Sequence, residues 1–181
     1  MHTKLTIPER LKDLRVVERK LSLQELADAT GIPSSTLGNY EKDENLDGGV
    51  TANNINVKYS ALQNTSYKYD EERKVYLRSM RGIEHRDSQT NEQFYAKNII
   101  MIYVKDELLD DPEDKGRREL YNIGTGKGYF ATNGQAIEIT WEKKTREGKT
   151  VYKDLSGKEI TINDGITWVQ IVPVTGKITI E

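Results

Sequence analysis

Leu21-Ser22-Leu23-Gln24-Glu25-Leu26-Ala27-Asp28-Ala29-Thr30-Gly31-Ile32-Pro33-Ser34-Ser35-Thr36-Leu37-Gly38-Asn39-Tyr40-Glu41-Lys42 is the stretch whose reading decides the fold. Ser22 followed three positions later by Glu25 is a capping box: the hydroxyl takes one orphan amide of a helix start and the carboxylate takes another. Leu21 and Leu26 stand at the spacing of a hydrophobic staple across that start. Gly31 ends the helix, because the turn that follows needs a positive φ that glycine adopts without a steric penalty. Pro33-Ser34-Ser35 opens the next helix, expected to run to about Lys42. Helices joined by so short a turn cross steeply, and the crossing point needs a small side chain, which Ala27 supplies. Leu26, Ile32, Leu37 and Tyr40 are then expected to face inward and hold the second helix on the first.

Upstream, Thr6-Ile7-Pro8-Glu9 repeats the capping signal, and Leu11 and Leu14, followed by Val17 or Val16, line one face of a further helix. Downstream, the character of the chain changes near residue 48. Asp43 to Asn54 is rich in turn formers and reads as a join, with a linker over 48–56. Beyond it lie short alternating runs broken by Gly, Asn and Asp. Asn98 to Lys105 is apolar enough for a strand buried on both faces. Asn133-Gly134 is the strongest hairpin signal, leading into Ala136 to Lys143, where Ile137, Ile139 and Trp141 alternate with Glu138, Thr140 and Glu142. Further strands are expected at Val57–Ala61, Ser66–Tyr69, Lys74–Met80, Val151–Lys153, Glu159–Ile162, Ile166–Val172 and Lys177–Ile180. Glu119–Ile123 and Gly128–Thr132 are expected to flank a glycine turn. The fold class is therefore α+β: a small N-terminal all-α unit (1–47), a linker (48–56) and a mainly antiparallel, sandwich- or barrel-like β domain (57–181).

Composition narrows the function. The chain has 181 residues with a formal charge of −2, so the strongly basic balance of many nucleic-acid binders is absent. There is no Cys, hence no disulfide framework and no cysteine zinc site. No apolar run approaches the ~18 residues that a membrane span requires. Met1-His2-Thr3-Lys4 leads into a charged segment rather than a signal peptide, so no membrane insertion and a cytoplasmic location are expected.

The offsets of Ala27, Gly31, Ile32 and Leu37 match a DNA-binding helix-turn-helix, and the whole stretch resembles the Cro/C1-type (XRE) regulators over residues 5 to about 45. The resemblance implies that the helix opened by Pro33 enters the major groove of double-stranded DNA. Ser34, Ser35, Thr36 and Asn39 would then point outward. An Asn at position 39 suits bidentate pairing with adenine, and Gln24 and Lys42 would position the phosphate backbone. Members of that family continue into two more helices that close the core and often make a dimer contact, whereas this chain runs into Gly48-Gly49 and strands. A homodimer is the second partner considered, with a ligand of unknown chemistry for the β domain.

A second resemblance runs from about Val57 to the C-terminus. Its blocks are Val75-Tyr76-Leu77-Arg78-Ser79, Gly82 with His85 and Asp87, and Ala96-Lys97-Asn98-Ile99-Ile100. They continue with Ile123 to Tyr129, Asn133-Gly134, Trp141-Glu142-Lys143 and Gly165 to Pro173. They are similar to the C-terminal domain of the YerB-like lipoproteins of Gram-positive bacteria, a family of unknown function, so they imply a fold rather than an activity. The alternative to a regulator is thus an envelope-associated interaction domain carrying a vestigial helix-turn-helix.

Chemistry in this half is sparse. Gly124-Thr125-Gly126-Lys127-Gly128 lacks the spacing of a phosphate loop and reads as a β-turn. His85 with Asp87 suits a polar pair lining a pocket, opposed by a plain hydrogen-bonded loop. The carboxylates are too scattered for a metal set. No cofactor and no enzymatic activity are expected.

Overall fold

The computed structural model describes residues 11, 12, 15, 16, 19–40 and 45–181, without the side chains of Asn39 and Tyr40. Two helices, α1 (Leu23–Thr30) and α2 (Ser34–Tyr40), precede the strands. These are β1 (Val50–Thr51), β2 (Asn54–Lys58), β3 (Asn64–Asp70), β4 (Val75–Met80), β5 (Ile83–Glu84), β6 (Tyr95–Ala96) and β7 (Asn98–Val104). They continue with β8 (Asp106–Leu108), β9 (Arg118–Leu120), β10 (Gly124–Thr132), β11 (Gln135–Lys143), β12 (Val151–Asp154), β13 (Thr167–Pro173) and β14 (Lys177–Ile180). The class is α+β, a small helical unit followed by mainly antiparallel sheets.

One sheet runs β1-β11-β10-β7-β13, with β12 also on β11, and the second runs β14-β2-β3-β4-β5, with β6 on β4. The pairing is antiparallel except for β13, which lies parallel to β7 with Thr167 opposite Asn98 and Pro173 opposite Val104. β7 lies between β10 and β13, and its residues alternate between two apolar layers. Ile99 and Met101 join Ile55, Val57, Tyr67, Tyr76 and Val172 between the sheets. Ile100, Ile102 and Val104 face the opposite way with Phe130, Ile139 and Trp141, roofed by Leu46, Tyr152 and Ile160. The continuous apolar run from Asn98 is the consequence of burying both faces.

Asn133 and Gly134 form the two-residue loop between β10 and β11, both with positive φ (50° and 72°). That backbone matches the twist of the flanking strands, which is why Asn-Gly is favoured there. The expected glycine turn at 124–128 is instead part of β10, which pairs with β11 from Gly124 opposite Lys143 onward. These glycines are needed for space. A Cβ on Gly126 would stand 2.5 Å from Trp141 Nε1, and one on Gly128 would stand 2.2 Å from the Met101 carbonyl oxygen.

Two further expectations are corrected. Glu159–Ile162 is not a strand: Glu159 makes a single bridge to Lys153. The Asp154 carboxylate takes the amides of Ser156 (2.8 Å) and Lys158 (3.0 Å), which folds the chain into a turn before an extended run can begin. The segment 48–56 is not a free linker either. Val50 and Thr51 pair with Ala136 and Gln135, and Asn54 already lies in β2. Just before them, the Leu46 amide donates to Gln135 Oε1 (3.2 Å).

In the helical unit the capping box is formed as its residues dictate. Glu25 N–H donates to Ser22 Oγ (3.1 Å), and Ser22 N–H donates to Glu25 Oε2 (2.7 Å). Those bonds hold the Glu25 carboxyl below its usual range. Gly31 closes α1 at φ 71°, its amide donating to the Ala27 carbonyl (2.8 Å). Ala27 and Leu37 are buried at the crossing and Leu26 is half-buried, but Ile32 stays 38% exposed, contrary to expectation. It sits in the turn beyond Gly31, outside the area the short helices enclose. Leu11 and Val16 are likewise exposed. The Thr6–Glu9 signal, Leu14 and Val17 lie outside the described residues. Ser22→Ala is expected to cost about 1 kcal/mol of helix stability, read as earlier loss of the far-UV helical signal on heating.

Candidate functional site

The helical face expected to meet DNA is built on the turn at Gly31 to Pro33. The Pro33 carbonyl accepts from Thr36 N (2.9 Å) and Leu37 N (3.0 Å), so α2 starts at once after the turn. Ser35 is exposed, and Ser34 and Thr36 are half-buried. Gln24 is exposed on α1, where its amide donates to Asp28 Oδ1 (2.8 Å), a pairing it must exchange to reach a phosphate. Asn39 lies within α2, while its side chain and the whole of Lys42 fall outside the described residues. Arg15 is committed to the start of α1, donating to the Leu21 carbonyl (2.7 Å).

Where the chain passes from helices to sheet it borders a cavity of about 520 Å³. Leu46 and Asp47 form one wall, Ile137 and Glu138 of β11 the floor, and Leu155 and Ile160 contribute the far side. The floor is open because β1 pairs with Gln135–Ala136 and β12 with Ile139–Glu142, leaving Ile137 and Glu138 without a strand partner on that edge.

A polar cluster occupies the space between the two sheets. Arg78 of β4 is in the same phase as the buried Tyr76, so it points inward, opposite Tyr67 of β3. Only 6% of Arg78 is exposed. Its Nη1 donates to His85 Nδ1, and its guanidinium carbon lies 4.4 Å from the centre of the Trp168 ring. The Tyr59 hydroxyl donates to Gln170 Oε1, and Gln170 Nε2 donates to the Tyr67 hydroxyl. Burial pushes the Tyr59 and Tyr67 hydroxyls up to about 12, although a hydrogen bond to Arg78 opposes the rise at Tyr67. Both therefore stay protonated donors at neutral pH. Desolvation, with a smaller repulsion from Arg78, lowers the His85 pKa.

His85 and Asp87 take separate roles. His85 packs on Phe94 (centroids 4.5 Å apart) and belongs to the Arg78 cluster. Asp87 caps its own turn, accepting from the amides of Gln89 and Thr90 (both 2.9 Å), which lowers its pKa. Residue-by-residue reading missed Arg78, Tyr67, Tyr59 and Gln170. The available signal was the alternation in Val75–Met80, which places a cation in phase with Tyr76. His85→Ala is expected to leave Asp87's turn intact but raise the accessibility of Arg78, read as faster exchange of the Arg78 side-chain N–H protons.

Three comparisons place the chain among known proteins. The model of the C-terminal domain of a protein family of unknown function (DUF3048) matches residues 55–169, and a helix-turn-helix model matches residues 11–47. No curated protein matches the sequence. Among solved structures, the YerB protein from Bacillus subtilis is similar, with 28% identity and a TM-score of 0.59 over 70% of this chain. The match spans 43% of that protein's chain. The family model covers well over half of the chain, and the chain belongs to the DUF3048 C-terminal domain family, with a helix-turn-helix fused ahead of that domain.

Proposed function

We propose that the protein is a cytoplasmic DNA-binding transcriptional regulator of the Cro/C1 type, in which the β domain has a sensing or assembling role rather than a catalytic one. The observation that carries the reading is the helical pair: a capped α1, a left-handed Gly31, and an α2 that starts immediately after Pro33 and exposes Ser35. That geometry suits insertion of α2 into a major groove, with Ser34, Ser35, Thr36 and Asn39 toward base edges and Gln24 and Lys42 toward phosphates. The chain brings few cations to this face, so a homodimer on two half-sites is the form expected to bind usefully. A molecule bound in the cavity beside Leu46 and Asp47 would touch both the β domain and the chain leading back to the helices.

The test is a fluorescence-anisotropy titration of the full chain with a pool of duplexes selected for binding, repeated at increasing salt. The affinity is expected to fall with salt at a logarithmic slope of about −3, as three or four neutralised phosphates would give. Asn39→Ala is expected to lose ~1–3 kcal/mol of discrimination between the selected and scrambled duplexes. Absence of any salt-sensitive duplex binding would refute the reading.

A further inference from the structure

Arg78 is a buried cation whose charge no described neighbour balances. Among the described residues its partners are His85, Tyr67 and the Trp168 ring, and none is a carboxylate. Its Nε–H is buried with no acceptor. Each feature is costly: an uncompensated buried charge is strongly destabilising, and so is an orphaned donor on a charged group. Tyr67 and Gln170 beside it are also almost fully buried, at 1% and 5% exposure, so a polar constellation is held deep between two apolar sheets. Folding alone gives no reason to retain it, since an apolar side chain would fill the same layer without the desolvation penalty.

The cluster has a way out. His85, Phe94, Trp168 and Tyr59 around it are half-buried, forming an aromatic rim at the surface end of the layer. Phe94 and His85 both stand edge-on to Trp168, at 6.1 and 6.4 Å between ring centres. Rotamer changes of partly exposed side chains are fast, so rotation of the rim is the route by which the guanidinium would reach solvent.

We propose that this cluster is a binding site for a small organic monocarboxylate, with Arg78 pairing the carboxylate, the Tyr67 hydroxyl donating beside it, Tyr59 turning its hydroxyl from Gln170 to donate as well, and the rim rings covering its apolar body. A guanidinium presents a planar fork of N–H donors that matches two carboxylate oxygens, and the unpartnered Nε–H is part of that fork. The charge count favours a monoanion. Arg78 supplies one positive charge, and the neighbouring imidazole is held toward its neutral form, so a dianionic phosphate would leave a negative charge uncompensated. The site is independent of the helical unit and of any DNA binding.

The experiment titrates the full chain with sodium benzoate, using sodium chloride at matched ionic strength and sodium phosphate as separate arms. The readouts are the arginine Nε–Hε resonances, tryptophan fluorescence and the thermal midpoint. Benzoate is expected to shift one arginine resonance saturably, change the fluorescence and raise the midpoint, with chloride doing none of these. Arg78→Met is expected to weaken benzoate binding by at least roughly 10-fold, and Tyr59→Phe, at the half-exposed rim, by roughly 2- to 10-fold. Should Arg78→Met not fold, the unmodified chain and Tyr59→Phe decide. No saturable benzoate response in the unmodified chain overturns the proposal. So does an equal response to chloride, or a benzoate response that survives Arg78→Met unchanged. A response to phosphate alone overturns the assignment to a monocarboxylate.

Discussion

Gly128→Ala is expected to destabilise the β domain by about 3 kcal/mol or more, and Gly128→Val to prevent its folding. Gly128 lies in β10 opposite Ile102 of β7 on one side and Ile139 of β11 on the other, so it cannot shift without moving the middle of the sheet. The atom that a Cβ would meet is the Met101 carbonyl oxygen at 2.2 Å, with the Ile102 Cα next at 3.1 Å. Both are backbone atoms of β7, which is paired on both sides and has no rotamer by which to give way. Urea melts followed by tryptophan fluorescence measure this cleanly, because Trp141 and Trp168 both lie in the sheets and report that domain alone. Gly157→Ala is the matched control. Its site has positive φ (88°) with nothing within 4 Å, so only the left-handed backbone penalty of about 1–2 kcal/mol applies. A Gly128→Ala midpoint no lower than that of the control would contradict the steric account.

The second large effect is expected in the helical unit. Ala27→Leu should unfold α1 and α2 while leaving the tryptophan-detected melt of the sheets in place. Ala27 is one of the two buried apolar side chains of the described helical unit, the other being Leu37 across the crossing. Overpacking typically costs 1–3 kcal/mol, and a unit of about 40 residues has little stability to lose. Gly38, packed 3.5 Å from Leu23 Cδ1 for an added Cβ, shows that the facing helix is already in van der Waals contact. The readout is loss of far-UV helical signal together with loss of the duplex binding proposed above. Retention of both would mean that the helices have room at the crossing that their packing does not reveal.

Legibility in the sequence followed the kind of constraint each segment carries. The capping box at Ser22, the apolar run from Asn98 and the Asn133-Gly134 hairpin were readable because local chemistry alone decides them. The glycines at 126 and 128 were misread as a turn because glycine serves two purposes, and only the tertiary partners, Trp141 and Met101, reveal that here it makes room. The β1 strand was hidden in turn-forming composition because two residues carry no periodicity; its pairing to Gln135 and Ala136 fixes it. The parallel pairing of β13 with β7 joins segments distant in the chain and leaves no short-range trace. For the polar cluster, His85 drew notice as a residue type with chemistry, whereas Arg78 reads as an ordinary surface cation until its register against Tyr67 turns it inward.

In the regulator proposed above, the fastening of the chain to the sheet just after the helices limits how far the helical pair can travel. Asn45 already meets Asn133, and Leu46 is bonded to Gln135, while α2 ends at Tyr40. Five peptide steps separate Tyr40 from Asn45, a leash no longer than about 18 Å even when taut. A helical pair on a long tether could search for a half-site by itself; one on so short a leash would carry its sandwich with it. In the proposed homodimer the spacing between two bound half-sites would therefore be dictated by how two sandwiches abut, and any change in that contact would be felt directly as a change in operator pitch.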